Sequence, residues 1–484
     1  MTWQMNRRDW LRIMGASAAA AGAGVSPAFA PAGQPEPLAS PGEGGGFQSH
    51  TVAPRTTMAN RGPCAFVDGK VIQPQRELPI LHTTDVLVVG GGPAGVAAAV
   101  AARRTGAKVA LVERYGHFGG LWTGGLVLLI TGHIVKGGKQ VCQGIGEEMM
   151  RRLEKLDGGI INRRPGVDPT VDAEAAKYMM VEMVEEAEVK VFLHCWGVDA
   201  IVNGNDVLGA VFESKAGKQA VLAKVVIDAS GDGDIFAAAG AEFEHRTHNI
   251  GLVSRVGNID RISPPKPAEA QPNPQAAAAG SAQGKPPAPK APDPLRRLGK
   301  ATPAPGVNWV NMRGPEVDGL DVETLTRMEM NHRKFIWQNL QKIRANPGFE
   351  KLYLVETAPQ LGVRITRVLL TPKPVSHADM ESGAPVPDVV GYGGGTSKAW
   401  PIPYRALLPE KLDQLLAAGR CIGAEMRMAD VVRLIPNCFV TGHAAGAAAA
   451  LAVQDGCRPR DIEIAKLQKV LRQQEAYLGE PAAG

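Results

Sequence analysis

Residues 84–114 read TDVLVVGGGPAGVAAAVAARRTGAKVALVER. Val86 to Val89 form a short run of strand-forming residues that leads directly into Gly90-Gly91-Gly92-Pro93-Ala94-Gly95. A helix of small residues follows, then a second apolar strand over Lys108 to Val112 that ends on Glu113. Each part has a physical reason in a site for a dinucleotide. Gly90 permits a tight strand-to-helix turn, Gly92 lets backbone approach a pyrophosphate, and Gly95 with Ala97 and Ala98 lets the helix pack close to a sheet. The helix start offers free N–H groups and partial positive charge to phosphates. Glu113, eighteen residues beyond Gly95, stands where a carboxylate can accept hydrogen bonds from a ribose. Strand, glycines, helix, strand and acid in that order predict a Rossmann-like α/β domain.

The rest of the chain bounds what surrounds that unit. At 484 residues it can build two or three domains with sizeable cores. Apolar and charged contents of 44% and 21% are those of an ordinary globular protein, and no uninterrupted apolar run predicts a stable membrane span. The net charge of +5 draws on a basic amino terminus and a Lys/Arg-bearing low-complexity stretch, so it gives no reason to expect a nucleic-acid partner. Cys64, Cys142, Cys195, Cys421, Cys438 and Cys457 lack CxxC spacing, which argues against a zinc or iron–sulfur site and points to free or buried thiols. His245 and His248 could form a small metal site but read better as a surface or loop pair, and no metal is expected.

The amino terminus carries an address. Asn6-Arg7-Arg8-Asp9-Trp10-Leu11-Arg12 is a twin-arginine pattern, followed by an Ala/Gly run and the small-x-small site Ala28-Phe29-Ala30. Pro31 directly after it disfavours cleavage at that bond, leaving the cut unassigned. The twin-arginine route moves folded proteins, which suits a chain that loads a cofactor before crossing. A periplasmic or otherwise exported protein is therefore expected, with the twin-arginine translocase as its partner during export.

Farther along, CAFVDGKVIQPQRELPIL (residues 64–81) alternates enough to supply short strands, and residues 263–306 are Pro/Ala low complexity that reads as a disordered insertion. Lys190 to Val202, Val207 to Glu213 and Ala220 to Ile227 read as strands, the last running into Asp228-Ala229-Ser230-Gly231-Asp232-Gly233-Asp234. Thr324 to Arg344 reads as a helix with Leu325, Met328, Phe335, Ile336, Leu340 and Ile343 near one face, His332 packed on that face, and a stop at Asn346-Pro347-Gly348. Leu412 to Val453 reads as a strand, Gly419-Arg420, an irregular loop, and a helix through Gly442-His443-Ala444-Ala445-Gly446. The glycine loop alone does not separate NAD from FAD. The strand ending at Asp228 and the one ending at Gly419-Arg420 make one FAD domain assembled from three separated segments.

On those segments the chain resembles the bacterial FAD-dependent oxidoreductase family related to glutathione-reductase- and fumarate-reductase-like flavoproteins. RELPILHTTDVLVVGGGPAG, ERYGHFGGLWTGGLV, AKVVIDASGDGDIFAAAGAEFE, PGFEKLYLVETAPQLGVRITR, IPYRALLPEKLDQLLAAGRCIGA and VRLIPNCFVTGHAAGAAAALAV carry the match. The resemblance implies an α/β fold: a Rossmann-like, glutathione-reductase-like FAD-binding domain with an inserted α+β substrate domain. It divides the chain into a signal peptide (1–30), a linker with short strands (31–83), a first FAD-binding part with inserted substrate-side elements (84–260), a disordered Pro/Ala-rich insertion (261–306), a substrate or cap region (307–400) and a carboxy-terminal FAD-binding part (401–478). Gly90, Gly92, Pro93, Ala94, Gly95, Glu113 and Arg114 would hold the pyrophosphate and adenosine. Gly119, Gly120 and Thr123 would line the flavin, Trp196 and Gly197 the adenine side, and Asp228 and Gly231 would close the nucleotide site. Arg433, Pro436 and Asn437 would lie where the last helix points its positive end at the flavin pyrimidine ring.

The family commonly reads G-x-R-E-S-R near the flavin, whereas this chain reads Gly362-Val363-Arg364-Ile365-Thr366-Arg367. Both arginines remain as substrate-side cations and the acid is gone. His443 is the expected acid/base, with Tyr404 and Arg405 as weaker candidates. The expected activity is that of an exported dehydrogenase or reductase transferring a hydride between a small organic substrate and FAD, with an electron acceptor that the sequence does not name. Two other readings stay open: a covalent flavin link through His117, and a non-catalytic FAD-containing assembly or binding protein. An NAD-only dehydrogenase would leave the downstream segments unexplained.

Overall fold

The computed structural model describes residues 63–133, 139–164, 166–263 and 298–479. The twin-arginine pattern, the Ala28-Phe29-Ala30 site and most of the Pro/Ala stretch lie outside the described residues. A mainly parallel sheet forms the core, in the spatial order Lys190–Phe192, Val109–Val112, Ile80–Val89, Gly217–Asp228. Gly217–Asp228 changes partner along its length. Its first half pairs antiparallel with Asp206–Ser214, which continues antiparallel into Trp196–Asn203, whereas Val226 to Asp228 pair parallel with Leu415–Ala417. Val226 also faces Leu87 in parallel register, so the three separated segments expected from sequence adjoin in one Rossmann-like α/β sheet. Buried on both faces, these strands are continuous apolar runs such as Val86 to Val89 and Val109 to Val112. The expected strand over Lys190 to Val202 is two strands, because the chain leaves the parallel pairing at Phe192, passes His194 at φ +58°, and joins the antiparallel pairing at Trp196.

Two helices pack together against this sheet. Pro93–Arg104 and Ile435–Asp455 meet along small residues, and a Cβ on Gly442 or Gly446 would strike the backbone oxygen of Ala94 or Ala98. Ala97 to Ala102 and Ala444 to Ala452 are buried almost throughout. The apolar composition of Ile435–Asp455 thus reflects burial inside the protein, and among the described residues no single helix is long and apolar enough to cross a membrane.

A second layer comes from chain between the core segments. Lys300–Ala301, Asn308–Val310, Ser254–Gly257 and Tyr353–Thr357 form an antiparallel sheet covered by the helix Val322–Arg344. Asp321 caps that helix by accepting from the Thr324 N–H (2.8 Å). Ile336 and Leu340 are buried, and His332 is packed as expected, with Nε2 3.1 Å from the Ile250 carbonyl oxygen. Phe335 instead stands 55% exposed, because the buried stripe steps through 332, 336 and 340, one turn at a time, and leaves 335 to the side. Folded chain also resumes earlier than the sequence suggests: Leu298 is buried and Lys300–Ala301 is paired, within the stretch read as disordered up to residue 306.

Candidate active site

One cavity of about 770 Å³ opens between the carboxyl ends of the core strands and the second layer. Its floor is the glycine loop, and the glycines there have separate roles. Gly90 has φ +105°, and a Cβ on it would strike Ala229; a Cβ on Gly95 would strike the Gly90 carbonyl oxygen. Gly92 differs: a Cβ there would meet nothing within 4 Å among the described residues, because that face opens on the cavity. Gly92 is also the N-cap of Pro93–Arg104, with no side chain capping the helix and no acid in its first turn. Gly90, Gly92, Pro93 and Ala94 line the cavity beside an uncapped helix start, which is an anion receptor.

Glu113 lies at the end of the next strand, 5% exposed and on the cavity wall. Its carboxylate accepts from Gly91 N–H (2.5 Å) and Tyr115 N–H (2.8 Å), so it braces the loop as well as facing the space where a ribose would lie. Arg114 stacks over Tyr115 and Trp196, at 4.7 and 5.5 Å from the ring centres, and all three line the same end. Gly197 does not; it packs against Val89 and Ile235.

The 119–123 loop is only partly as expected. Gly120 lines the cavity with Leu121 and Trp122. Gly119 donates its N–H to Gly91 O (2.8 Å), and the buried Thr123 hydroxyl donates to Phe118 O (2.5 Å), so both stand behind the wall and fix its shape. His117 stacks on Tyr115 and is not on the cavity wall, which removes the geometric ground for a covalent link there.

Asp228 is the largest departure. It is fully buried, and its carboxylate accepts from Ser230 N–H, Ser230 Oγ, Ile235 N–H and Phe236 N–H at 2.6–3.0 Å. Burial pushes this carboxyl above the usual range against those hydrogen bonds, which favour the anion. It holds the turn instead of facing the cavity, and the acids of this turn that do face it are Asp232 and Asp234, alongside Gly231. Asp232 accepts from Arg420 Nη2 and Thr366 Oγ1, both at 2.8 Å. Asp234 is pushed up to about 6 by burial and by the nearby Asp228 and Asp232 charges. Arg367 is spent on this turn, donating to the Asp232 carbonyl (3.0 Å) and to Asp234 Oδ1 (3.1 Å), and does not reach the cavity.

Arg364 does line the cavity and donates to the Asn249 carbonyl. Burial first, then repulsion from Arg433 and Arg313, pulls its pKa down. Alternation along 364–366 sends Arg364 to the cavity, Ile365 into an apolar cluster with Val368 and Ala429, and Thr366 to Asp232. An apolar residue at 365 therefore suits the position. Arg433 is on the wall, paired with Asp430 at 2.9 Å, and His248 Nε2 approaches the same Asp430 Oδ1 at 2.9 Å. His245 goes to Asp318 instead, so the two histidines do not converge.

Further expectations fail because the side chains concerned already have partners within the fold or lie off the cavity. Asn437 is fully buried and bonds to the Gly394 N–H and carbonyl and to Val431 O; Leu434, Ile435 and Cys438 line the cavity in place of Pro436 and Asn437. His443 lies off the cavity, with Nε2 2.8 Å from Gln474 Oε1, and burial pulls its pKa down to about 4. Tyr404 donates to Pro459 O (2.7 Å) and Arg405 pairs with Asp388 (2.9 Å), both away from the cavity. Sequence reasoning missed His248 and Asp430 as a pair, since they stand 182 residues apart and only the fold joins them.

A family model described as FAD dependent oxidoreductase matches residues 85–471, and the chain belongs to that family. No curated protein matches the sequence. Solved structures with a similar fold include a geranylgeranyl bacteriochlorophyll reductase-like protein from Thermoplasma acidophilum, at 16% identity and TM-score 0.42, covering 81% of this chain and 84% of the other. Another is the flavin-dependent brominase Bmp2, at 13% and 0.41, covering 81% and 83%. A third is p-nitrophenol 4-monooxygenase from Pseudomonas putida, at 11% and 0.40, covering 83% and 91%. The protein is an enzyme and FAD is its cofactor, which sets aside the non-catalytic reading. The residues fit FAD: Gly92 leaves a cradle that a side chain would fill, beside an uncapped helix start and within reach of the Glu113, Arg114 and Trp196 end of the cavity.

Gly92→Val separates cofactor binding from folding, since Gly92 has φ −71° and adopts backbone open to any residue. The variant is expected to keep wild-type thermal stability as apoprotein and to purify with little or no FAD, measured by absorbance after denaturation. A Gly92→Val protein carrying FAD at the wild-type ratio would refute the cradle.

Proposed function

We propose that this FAD-dependent oxidoreductase is exported by the twin-arginine route and acts on a small organic molecule as a dehydrogenase or reductase. The observation that carries the reading is a cavity whose wall joins the glycine loop to the arginine and histidine side chains of the second layer. We read the core as glutathione-reductase-like and the second layer as an inserted substrate domain, because chain from both 254–257 and 300–357 returns over the strand ends. When bound, FAD supplies acceptance or return of a hydride, and binding, orientation and proton movement fall to the chain.

The Pro93–Arg104 helix start and Gly92 receive phosphate, and Glu113, Arg114 and Trp196 receive the adenosine end. The Asp232–Arg420 pair keeps a charged, hydrogen-bonded wall beneath them. Leu121, Trp122 and Ile435 form the drier part of the wall and exclude water. His248 replaces His443 as the candidate proton carrier: it lines the cavity with Nε2 2.9 Å from Asp430 Oδ1, and its Nδ1, 3.2 Å from the Asn249 carbonyl oxygen, would leave that contact to reach a substrate.

His248→Gln tests that role. With FAD retained, reduction of the bound cofactor by an active small organic substrate under anaerobic conditions should slow by about 10²-fold or more. Reduction at the wild-type rate would exclude His248. Export is tested separately: the protein with Arg7→Lys and Arg8→Lys should remain in the cytoplasm, and unchanged export would refute the signal assignment.

A further inference from the structure

Asn249 holds two arginines without neutralising either. Arg364 Nη1 donates to its backbone carbonyl, while Arg313 donates to its Oδ1 through Nε (3.1 Å) and Nη2 (2.8 Å). The Asn249 amide is itself oriented by donation from Nδ2 to Gly314 O (3.2 Å). A carboxylate in this place would quench the charge of both guanidinium groups, and an amide leaves it standing. A third cation, Arg433, is balanced by Asp430, so the wall shared by Arg313, Arg364, Arg433 and Asp430 carries an excess of positive charge. The repulsion is felt at Arg364, whose pKa is pulled down by burial and by Arg433 and Arg313. Like charges on one wall, with Arg364 and Arg433 half-buried and Arg313 exposed, favour an anion between them.

The planar fork of a guanidinium matches a carboxylate through paired hydrogen bonds. Among the described residues Arg364 uses only Nη1, in its bond to Asn249, which leaves its remaining N–H groups for a ligand in the cavity it lines. Leu320, Leu325, Leu361 and Val363 line the same cavity and offer an apolar surface. The cofactor's phosphates have their own receptor at the Pro93–Arg104 helix start, on a different segment of the wall. We propose that Arg313 and Arg364, held by Asn249, bind a carboxylate group of the substrate, whose apolar body lies against Leu320, Leu325 and Val363. This rests on reading the cavity as the FAD-dependent active site and adds the chemical class of what enters it.

The test titrates the holoprotein with phenylacetate and octanoate, and with their neutral counterparts phenylacetamide and octanamide. Binding is read from perturbation of the bound flavin's visible spectrum and from thermal shift. At least one carboxylate should bind saturably, and its amide should bind about tenfold more weakly or worse, as expected for losing a charged hydrogen-bond pair. Arg364→Gln and Arg313→Gln should each weaken carboxylate binding by a similar factor and retain one FAD per chain. Arg313 is exposed, so its variant decides the matter if Arg364→Gln fails to fold. Amides binding as well as acids, no binding by either carboxylate, or a folded Arg313→Gln with wild-type affinity would each overturn the proposal. Loss of FAD from Arg313→Gln would also overturn it, by assigning the pair to the cofactor. A purified wild-type protein without FAD would instead defeat the active-site reading, while the thermal-shift arm would still report on the carboxylate.

Discussion

The buried turn at Asp228 and Ala229 is the constraint on which the site depends. Ala229 donates its N–H to Val89 O (2.9 Å), and Ala418 donates to Asp228 O (2.9 Å), so one peptide joins the ends of three strands from distant parts of the chain. The Asp228 carboxylate then gathers the N–H groups of Ser230, Ile235 and Phe236, which turns the chain and starts the short helix Asp234–Ala238. A carboxyl group buried so completely is tolerable only with that many hydrogen-bond partners. The turn presents Gly231, Asp232 and Asp234 to the cavity and sets Ala229 hard against Gly90, fixing the glycine loop from the other side.

From that junction the cavity acquires two chemically different halves. The core half is built of close backbone approaches, glycines and the uncapped helix start, with Glu113 and the Asp232–Arg420 pair as its fixed charges. The half contributed by the second layer and by the approach to Ile435–Asp455 carries Arg313, Arg364, Arg433 and His248, with Asp430 as the carboxylate bonded to Arg433 and His248. Phosphate and ribose recognition belong to the first half by their hydrogen-bonding needs. Under the function proposed above, substrate orientation and proton movement would fall to the second.

Much of the first half was legible in the sequence. Gly90 and Gly95 meet the close backbone approaches that the spacing of 84–114 implies, and Gly92 opens on the cavity. The three-segment sheet was legible too, since Ala220 to Ile227 and the strand before Gly419 are continuous apolar runs. Within each motif, however, the polar residues were assigned to the cofactor or the substrate when several serve the fold. Asp228, Thr123, Asn437 and Arg367 all spend their hydrogen bonds on backbone or on neighbouring turns. A sequence gives no sign of which side of a loop a polar side chain takes. The His248–Asp430 pair and the two arginines on Asn249 were invisible for a different reason: their partners are remote in sequence and meet only across the second layer.

Whether FAD occupies the full length of this cavity is tested most directly by titrating apoprotein with FAD and FMN while following tryptophan fluorescence. Trp122, Trp196 and Trp309 all line the cavity and report on its occupant. FAD should quench saturably at one equivalent per chain. FMN, which lacks the adenosine that the Glu113, Arg114 and Trp196 end would receive, should bind far more weakly. Equal affinity for FMN and FAD, or no saturable quenching by FAD, would contradict the account.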